Sequence, residues 1–445
     1  MANTIFQRIN QLKRNTVIKN ILLVGGISLF IKGIGFYKET MVAANFGLSL
    51  VLDTFFIAYL IPGFIQSVFL ESFKSVFIPN YVAELKTGND MAAFQATGFL
   101  ITALISMVFV LIAILFTDTY LQLFFDGHDE TYYQLVKSQF YFVLPCIFFW
   151  GFSSLLSGLL NINSEFKYSS FQSIFIPITI IVCLGFFREH LGDMVLAIGS
   201  LIGSIIAFFY LLLICIKKGI LKLSFPRFGN KNAITMLKQV PIKMTSSVFS
   251  GLHGIVDQFF AAQLMVGSIA ALNYALKIPS FAIGIIVIAI SNVLLPHFSK
   301  LVIANKPKAF QELFKILKIV FIIGSVVAIL GILTSDFFIA LFFERKEFTA
   351  KDTELVANLQ KIILIYIPFK ISGELLVNFL TSINKNVYMA IVSFISIILN
   401  IVLNYILIDL YGVFGIAIAT TVVVIIRNSI LFLFTLKQKG KMLTN

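Results

Sequence analysis

The chain has 445 residues, of which 59% are hydrophobic and only 12% are charged, and its mean hydropathy is +0.96. Globular proteins hold about 45–50% apolar and about 25% charged residues, so a soluble, secreted or disordered protein is excluded. The net charge of +13 does not indicate a nucleic-acid partner, because no stretch is long and polar enough to fold as a basic nucleic-acid-binding domain.

Apolar runs divide the chain into about twelve predicted membrane spans. Charge-free stretches such as 91–117 and 138–164 each hold 27 residues, and about 20 apolar residues suffice for a helix to cross a bilayer. These runs are about twice as long as the strands of a membrane barrel, so we expect helices. The predicted spans lie near 21–44, 50–79, 92–116, 134–160, 169–187, 194–216, 240–263, 268–296, 313–335, 356–380, 387–408 and 413–436.

The fold class is therefore an all-α polytopic membrane protein. Several spans contain proline, which lacks the N–H needed for a helical hydrogen bond. We expect these prolines to kink their helices rather than end them. They are Pro62, Pro145, Pro177, Pro279 and Pro368.

The two halves of the chain share a residue pattern with an offset near 220. Tyr168 and Tyr388, Gly192 and Gly412, and Ala197 and Ala417 match at this offset. The pattern indicates a duplicated six-helix unit, with an N-terminal lobe at 1–216, a basic cytoplasmic linker at 217–239 and a C-terminal lobe at 240–445. Six crossings keep both lobes in one orientation, as in alternating-access transporters that have parallel repeats around a central cavity.

The loops differ in charge on the two sides of the predicted spans. The side of the N-terminus receives most of the loop Lys and Arg, including the cluster in 217–243. The opposite loops hold Arg188, Arg345, Lys346 and Lys351. The positive-inside rule therefore places both termini in the cytoplasm.

Ionisable side chains within the spans are the candidate substrate site, since each costs about 2.5–3.5 kcal/mol on insertion scales. The first span carries Lys32, Lys38 and Glu39, Asp53 opens the second span, and Lys277 lies in the eighth. Cations that converge in a midplane cavity would suit a phosphate or pyrophosphate headgroup, with each lysine acting as a point charge.

A second set of buried charges has two interpretations. Asp257 follows His253 by four residues on one helical face, which suits either a structural hydrogen bond or coupling to a proton or cation. The pairs Glu71/Lys74 and Lys370/Glu374 are either self-neutralising helical pairs or secondary parts of the site.

The sequence has none of the common motifs for nucleotide binding, nucleophilic catalysis or metal binding. There is no phosphate-binding G-x-x-x-x-G-K-[ST] loop, no G-x-S-x-G elbow and no histidine cluster with metal spacing. We therefore expect no enzyme activity, no metal and no cofactor, and coupling to the membrane potential or to an H⁺ or Na⁺ gradient.

Three stretches resemble the MviN/MurJ family, the lipid II flippases of the multidrug/oligosaccharidyl-lipid/polysaccharide (MOP) exporter superfamily. The stretches are FIKGIGFYKETMVAANFGLSLVLDTFFIAYLIPGFIQSVFLESFKSVFIP (30–79), GSIAALNYALKIPSFAIGIIVIAISNVLLPHFSKL (267–301) and LFFERKEFTAKDTEL (341–355). The resemblance implies a fold of two six-helix lobes around a central cavity. It also implies that Lys32, Lys38 and Lys277 stand where the family has cavity arginines, with Glu39 and Asp53 at its acidic positions.

The sequence departs from the family pattern in two places. Gln66 and Ser67 replace paired arginines after the proline of the second helix, and the sequence stops at Asn445, where typical members continue with two further helices. The matched cavity cations are also lysines rather than arginines. The identity of the sugar-lipid is therefore open between a lipid II-like molecule and an O-antigen or capsule repeat unit.

The resemblance implies a flippase that moves a polyprenyl-pyrophosphate-linked saccharide across the cytoplasmic membrane for cell-wall or polysaccharide synthesis. The partners would be this lipid substrate and membrane lipids, with no nucleic acid. The alternative is a cation-coupled exporter of drugs or metabolites from the same superfamily, in which His253 and Asp257 would matter more than the lysines. A membrane scaffold without transport would instead tolerate neutral substitutions at every charge within the spans.

Overall fold

The computed structural model describes residues 16–87, 90–222 and 224–443. Over these ranges the chain is almost entirely helical, and its one isolated β-bridge joins Arg345 and Phe348. The helices, numbered in chain order, are α1 (Thr16–Phe46), α2 (Leu50–Ile65), α3 (Glu71–Thr87), α4 (Met91–Leu115), α5 (Thr117–Phe124), α6 (Glu130–Val143), α7 (Cys146–Ile162), α8 (Phe166–Phe171), α9 (Phe175–Phe186), α10 (Arg188–Leu191), α11 (Val195–Lys217), α12 (Lys231–Ala262), α13 (Ser268–Ala304), α14 (Lys306–Phe343), α15 (Ala350–Leu364), α16 (Ile367–Ser382), α17 (Asn386–Tyr411) and α18 (Val413–Leu443). The predicted all-α class is confirmed.

Eight helical stretches in the described ranges are long and apolar enough to cross a membrane, and a ninth is gained if the bent pair α15 and α16 forms one span. The predicted spans near 21–44, 240–263 and 268–296 lie on α1, α12 and α13. Every predicted span therefore coincides with helical chain. The protein is a multi-pass membrane protein, and the count of twelve spans is approximate.

The prolines act in two different ways. Pro62 lies inside α2 and Pro279 lies inside α13, as predicted. Pro145 directly precedes α7, and Pro368 occupies the first turn of α16, where the chain bends by 45° from α15. At Pro368 the prediction of a continuous kinked helix is wrong, whereas α6 and α7, which meet at Pro145, form one membrane-spanning stretch at Glu130–Ile162, as predicted. The helix stops and restarts at Pro368 because the first turn of a new helix needs no proline N–H.

A π-helical turn at Gln66–Leu70 joins α2 to α3. It begins four residues after Pro62, and its first two residues are Gln66 and Ser67. The Ser67 hydroxyl donates to the Phe64 carbonyl at 3.2 Å. Single π-turns inside helices are frequent at functional sites, and this one gives Gln66 and Ser67 a local helical geometry that differs from that of α2 and α3.

The chain forms two compact units. Within the described ranges, the residues of the first unit fall in 1–42, 57–123 and 128–248, and those of the second fall in 43–56, 124–127 and 249–445. These bounds differ from the lobes at 1–216 and 240–445, which stay a prediction. In the first unit, Phe73, Phe77 and Tyr81 recur every four residues along one face of α3, and Phe77 and Tyr81 pack on Phe94 of α4.

The basic linker contacts the first unit through buried polar side chains. Gln95, which is fully buried, donates to the Ile220 carbonyl at 3.1 Å and accepts from the Lys222 N–H at 2.8 Å. The buried Glu84 carboxylate accepts from the side-chain amides of Asn230 and Asn232 at 2.9 and 2.6 Å. Each of these buried polar groups is thereby satisfied, which favours an ordered linker.

Backbone geometry repeats along the chain with the offset predicted from the sequence. Left-handed φ angles occur at Gly47 and Gly267 (53° and 93°), Ser164 and Asn384 (62° and 57°), and Gly192 and Gly412 (51° and 55°). Each of these pairs is 220 residues apart. The helix bounds follow the same offset, since α6 and α7 correspond to α15 and α16. The duplication inferred from side chains is therefore also present in the turns.

Candidate functional site

The charged side chains of α1 form an ion pair in the first unit. The Lys38 ammonium group donates to the Glu39 carboxylate at 2.6 Å, with the two side chains 21% and 14% exposed. Lys32 lies six residues before Lys38 and is half-buried. The Glu39 carboxylate thus offsets the charge of Lys38 directly.

Asp53 holds the beginning of the helix that carries Lys277. Its two carboxylate oxygens accept the backbone N–H groups of Gly267 at 2.6 Å and of Ala270 at 2.8 Å, and its side chain is buried. The N-cap residue of α13 is Gly267, which has no side chain to cap the helix. Asp53 therefore supplies both the capping oxygens and a negative charge at the positive end of the helix dipole.

Lys277 lies on α13 ten residues beyond Gly267, close to three helical turns from the Asp53 cap. It is half-buried, and its ammonium nitrogen lies 6.0 Å from the centre of the Phe56 ring. That distance is at the outer limit of a cation–π contact. Phe56 follows Asp53 by three residues on α2, so one face of α2 both caps α13 and contacts its lysine.

Asp257 on α12 accepts three side-chain hydrogen bonds within the second unit. Its donors are the amides of Asn400 at 3.2 Å and Asn404 at 3.0 Å, and the hydroxyl of Thr420 at 2.8 Å. The amide oxygens of Asn400 and Asn404 are buried and have no hydrogen-bond partner among the described residues. Asp257 and Thr420 also line a cavity of about 90 Å³.

This cluster has the composition of a site for a hard cation. One carboxylate, two amide oxygens and one hydroxyl are oxygen ligands, which Na⁺ and similar ions prefer over nitrogen or sulfur. No group of three or more His, Cys, Asp or Glu suited to a transition metal occurs in the described part of the chain. The His253 side chain lies outside the described residues.

The two secondary pairs are both present as ion pairs. Lys74 and Glu71 are 3.4 Å apart, and the Ser154 hydroxyl donates to Glu71 at 3.3 Å. Lys370 and Glu374 are 3.1 Å apart with side chains 35% and 28% exposed. Each pair neutralises itself, and neither is brought to Lys38 or Lys277 within its own unit by a described contact.

The partners of Asp53 and Asp257 were not identified from the sequence. Asn400 and Asn404 are four residues apart in an apolar span, so they share one face of α17. This spacing of two amides in hydrocarbon was the available signal for the Asp257 site. The capping contact of Asp53 with Gly267 had no such signal, because it joins segments 214 residues apart.

These helices, with ion pairs and buried carboxylates inside their spans, define a polytopic α-helical transporter. A solved multidrug resistance MATE family transporter of the MOP superfamily, in an inward-facing conformation, shares the fold with a TM-score of 0.77. The alignment covers 95% of this chain and 99% of that one at 13% identity. The chain belongs to the lipid II flippase MurJ family, whose model matches residues 42–445.

Named relatives agree with this membership. A probable lipid II flippase MurJ from Buchnera aphidicola subsp. Schizaphis graminum is 28% identical over 95% of this chain and 84% of its own length. A solved structure of lipid II flippase MurJ in an inward closed conformation has a TM-score of 0.80 and 28% identity, and the match covers 94% of this chain and 87% of that one.

Proposed function

We propose that this protein flips a polyprenyl-pyrophosphate-linked saccharide of the lipid II type from the inner to the outer face of the bacterial cytoplasmic membrane. The observation that carries the proposal is the family match over 42–445. A solved lipid II flippase of the same fold supports it. The excess of Lys and Arg on one side of the spans supports cytoplasmic termini.

The cationic side chains would bind the pyrophosphate headgroup while the prenyl tail stays in lipid. Lys32, Lys38 and Lys277 supply ammonium donors inside spans, where a phosphate charge is attracted more strongly than in water. The chain needs no covalent chemistry for this task, since the lipid leaves unchanged.

Glu39 and Asp53 would contribute to the substrate site in different ways. Glu39 contacts Lys38 directly and would compete with the headgroup, so that the empty site is not over-charged. Asp53 acts through the backbone of α13 and would fix the position of Lys277. We therefore place Glu39 beside the substrate and treat Asp53 as a positioning residue.

We propose that Asp257 couples transport to a cation. The cluster formed by Asp257 with Asn400, Asn404 and Thr420 offers oxygen ligands beside a small cavity. Because both amides can rotate to present their oxygens, the cluster suits Na⁺ better than a proton alone.

The experiment that tests the substrate assignment is a flipping assay in vesicles with fluorescent lipid II. We expect Lys38→Gln and Lys277→Gln each to lower the flipping rate at least about ten-fold, since a hydrogen bond to a charged group is worth about 1.5–3 kcal/mol. The matched control is Lys86→Gln, a lysine exposed at the end of α3. Undiminished flipping by both Lys38→Gln and Lys277→Gln at normal protein levels would contradict the assignment of these lysines to headgroup binding.

The same vesicles distinguish the exporter alternative. An exporter of cationic drugs would move an organic cation such as ethidium and would depend on Asp257 rather than on the lysines. A flippase would leave ethidium untouched, because a positively charged site repels it.

A further inference from the structure

An open groove of about 410 Å³ lies between the beginning of α17 and the end of α18 in the second unit. Its lining is Tyr388, Ile430, Leu433, Phe434, Lys437 and Gln438. The rings of Tyr388 and Phe434 stack at 3.6 Å with an interplanar angle of 10°. Leu433 is 63% exposed. The groove therefore combines an aromatic floor, an apolar wall and a polar rim at one end of a pair of membrane spans.

The rim of the groove is positively charged. Lys437 lines it, and Lys385 lies about one turn before Tyr388 at the beginning of α17; both lysines are exposed. Over the described ranges, neither ammonium group has an acidic partner within reach of an ion pair. Gln438 adds amide donors beside Lys437. The rim of the groove therefore has the charge and the hydrogen-bond donors to bind an anion.

In the first unit, the site that corresponds to the groove contains a carboxylate of the chain itself. With the offset of 220, Tyr168 corresponds to Tyr388 and Lys217 to Lys437. There the Lys218 ammonium group pairs with the Glu165 carboxylate at 2.7 Å and lies 5.7 Å from the centre of the Tyr168 ring.

The position of that carboxylate carries the opposite charge in the second unit. Glu165 corresponds to Lys385 at the same offset of 220. The first unit therefore supplies its own anion beside the tyrosine, whereas the second unit has a cation in its place. Two sites of common origin differ in that only the second requires an anion from outside the chain.

We propose that the groove binds the headgroup of an anionic phospholipid of the surrounding leaflet. Lys437 and Lys385 attract the phosphate, the Tyr388 hydroxyl and the Gln438 amide donate to it, and an acyl chain lies along Leu433. Basic pockets between membrane helices on the cytoplasmic side bind such headgroups, and the groove lies at the end of the spans that the positive-inside rule places there. The proposal is independent of which saccharide lipid the protein flips.

Native mass spectrometry of the purified full chain tests the groove. The protein is titrated with dioleoylphosphatidylglycerol and, separately, with dioleoylphosphatidylcholine, which has the same acyl chains and no net charge. We expect Lys437→Gln to weaken binding of the phosphatidylglycerol about five-fold, the factor that corresponds to about 1 kcal/mol for one lysine near an anionic surface. The double variant Lys385→Gln/Lys437→Gln should bind both lipids alike.

Two control variants separate the groove from other cations. Lys439 is two residues beyond Lys437, about 200° around α18, and its nitrogen lies 5.1 Å from the centre of the Phe314 ring. Lys439→Gln should therefore bind phosphatidylglycerol as the wild type does. Lys38→Gln should do the same, which separates groove binding from binding at the transport site.

Three results would overturn the proposal. One is equal binding of phosphatidylcholine and phosphatidylglycerol by the wild-type protein. Another is a loss in Lys439→Gln as large as in Lys437→Gln, which would indicate only a general charge effect. The third is full displacement of the lipid by millimolar inorganic phosphate, which would assign the groove to a soluble anion. A melting temperature equal to that of the wild type confirms that each variant is folded.

Discussion

Asp53 caps the helix that begins directly after Gly267, with its Oδ2 atom 2.6 Å from the Gly267 nitrogen. The other oxygen accepts from Ala270, so the carboxylate uses both of its acceptor atoms on one helix end. A residue predicted to orient the substrate cations thus acts on the backbone of the helix that bears Lys277. Its assignment to substrate binding stays a prediction.

Replacement of Asp53 by Asn should destabilise the fold. An amide has one oxygen for two N–H donors, and its own NH₂ group would face the second donor, so we expect a loss of about 1–2 kcal/mol in unfolding free energy. Thermal unfolding of the wild type and the variant in detergent measures this loss of stability. The control is Asp129→Asn, because Asp129 caps α6 through a single bond to the Tyr132 N–H and asparagine caps equally well. Equal stability of the two variants would contradict the capping role.

Removal of the Glu39 charge should strengthen the binding of lipid II and slow its release. Glu39→Gln takes away the carboxylate that pairs with Lys38, so we expect lipid II to bind about five-fold more tightly, because one competing ion pair is worth about 1 kcal/mol. Turnover should fall, since the headgroup leaves a more positive site. Flipping rates measured against lipid II concentration separate the two effects, and weaker binding by this variant would contradict the arrangement.

A cation at Asp257 should stabilise the folded protein. Na⁺ at one hundred times its dissociation constant would add about 2.7 kcal/mol, and replacement of K⁺ by Na⁺ should therefore raise the melting temperature. Asp257→Asn and Thr420→Val should lose this difference. If the melting temperature instead follows pH and is indifferent to Na⁺, the coupling ion is the proton.

A side chain at position 267 should not be tolerated. Gly267 has a φ of +93°, and an added Cβ would lie 2.7 Å from the Leu48 carbonyl oxygen. Gly127 has a nearly equal φ of +91° with nothing within 4 Å of an added Cβ. Both Gly→Ala variants bear the backbone strain of about 1–3 kcal/mol, and only Gly267→Ala adds the clash. We expect the latter to be the less stable by thermal unfolding, and equal losses would contradict this packing.

The contact between Lys218 and Glu165 should depend on pH. The pKa of Lys218 is raised above its ordinary value, mainly because the ammonium group donates a hydrogen bond to the Glu165 carboxylate. The contact therefore stabilises the fold at pH values below the ordinary lysine pKa of 10.5 and is lost as pH rises through the raised value. The stability difference between wild type and Glu165→Gln should be small, since Lys218 is exposed, and should vanish once the pH has risen past the raised pKa of Lys218. A difference that persists there would contradict an ionic contact.

Much of the fold follows from the sequence because hydrocarbon leaves the backbone few choices. Long apolar runs had to be helices, and all predicted spans coincide with helical chain. The break at Pro368 was not predicted, because proline fits both a kink and the first turn of a new helix. Intramembrane charges indicated Asp53 and Asp257, but hydrophobic periodicity cannot show which distant backbone or amide groups a carboxylate contacts.

The turns that repeat every 220 residues show how the two halves have diverged. At the positions that correspond to Lys277 and Asp257 the first half has Ile57 and Tyr37, and at the position that corresponds to Lys38 the second half has Gln258. The two halves have kept the same turns, while Lys277, Asp257 and Lys38 each have no charged counterpart in the other half. Asymmetry between the copies, rather than any feature they share, is what gives this protein different chemistry at its different sites.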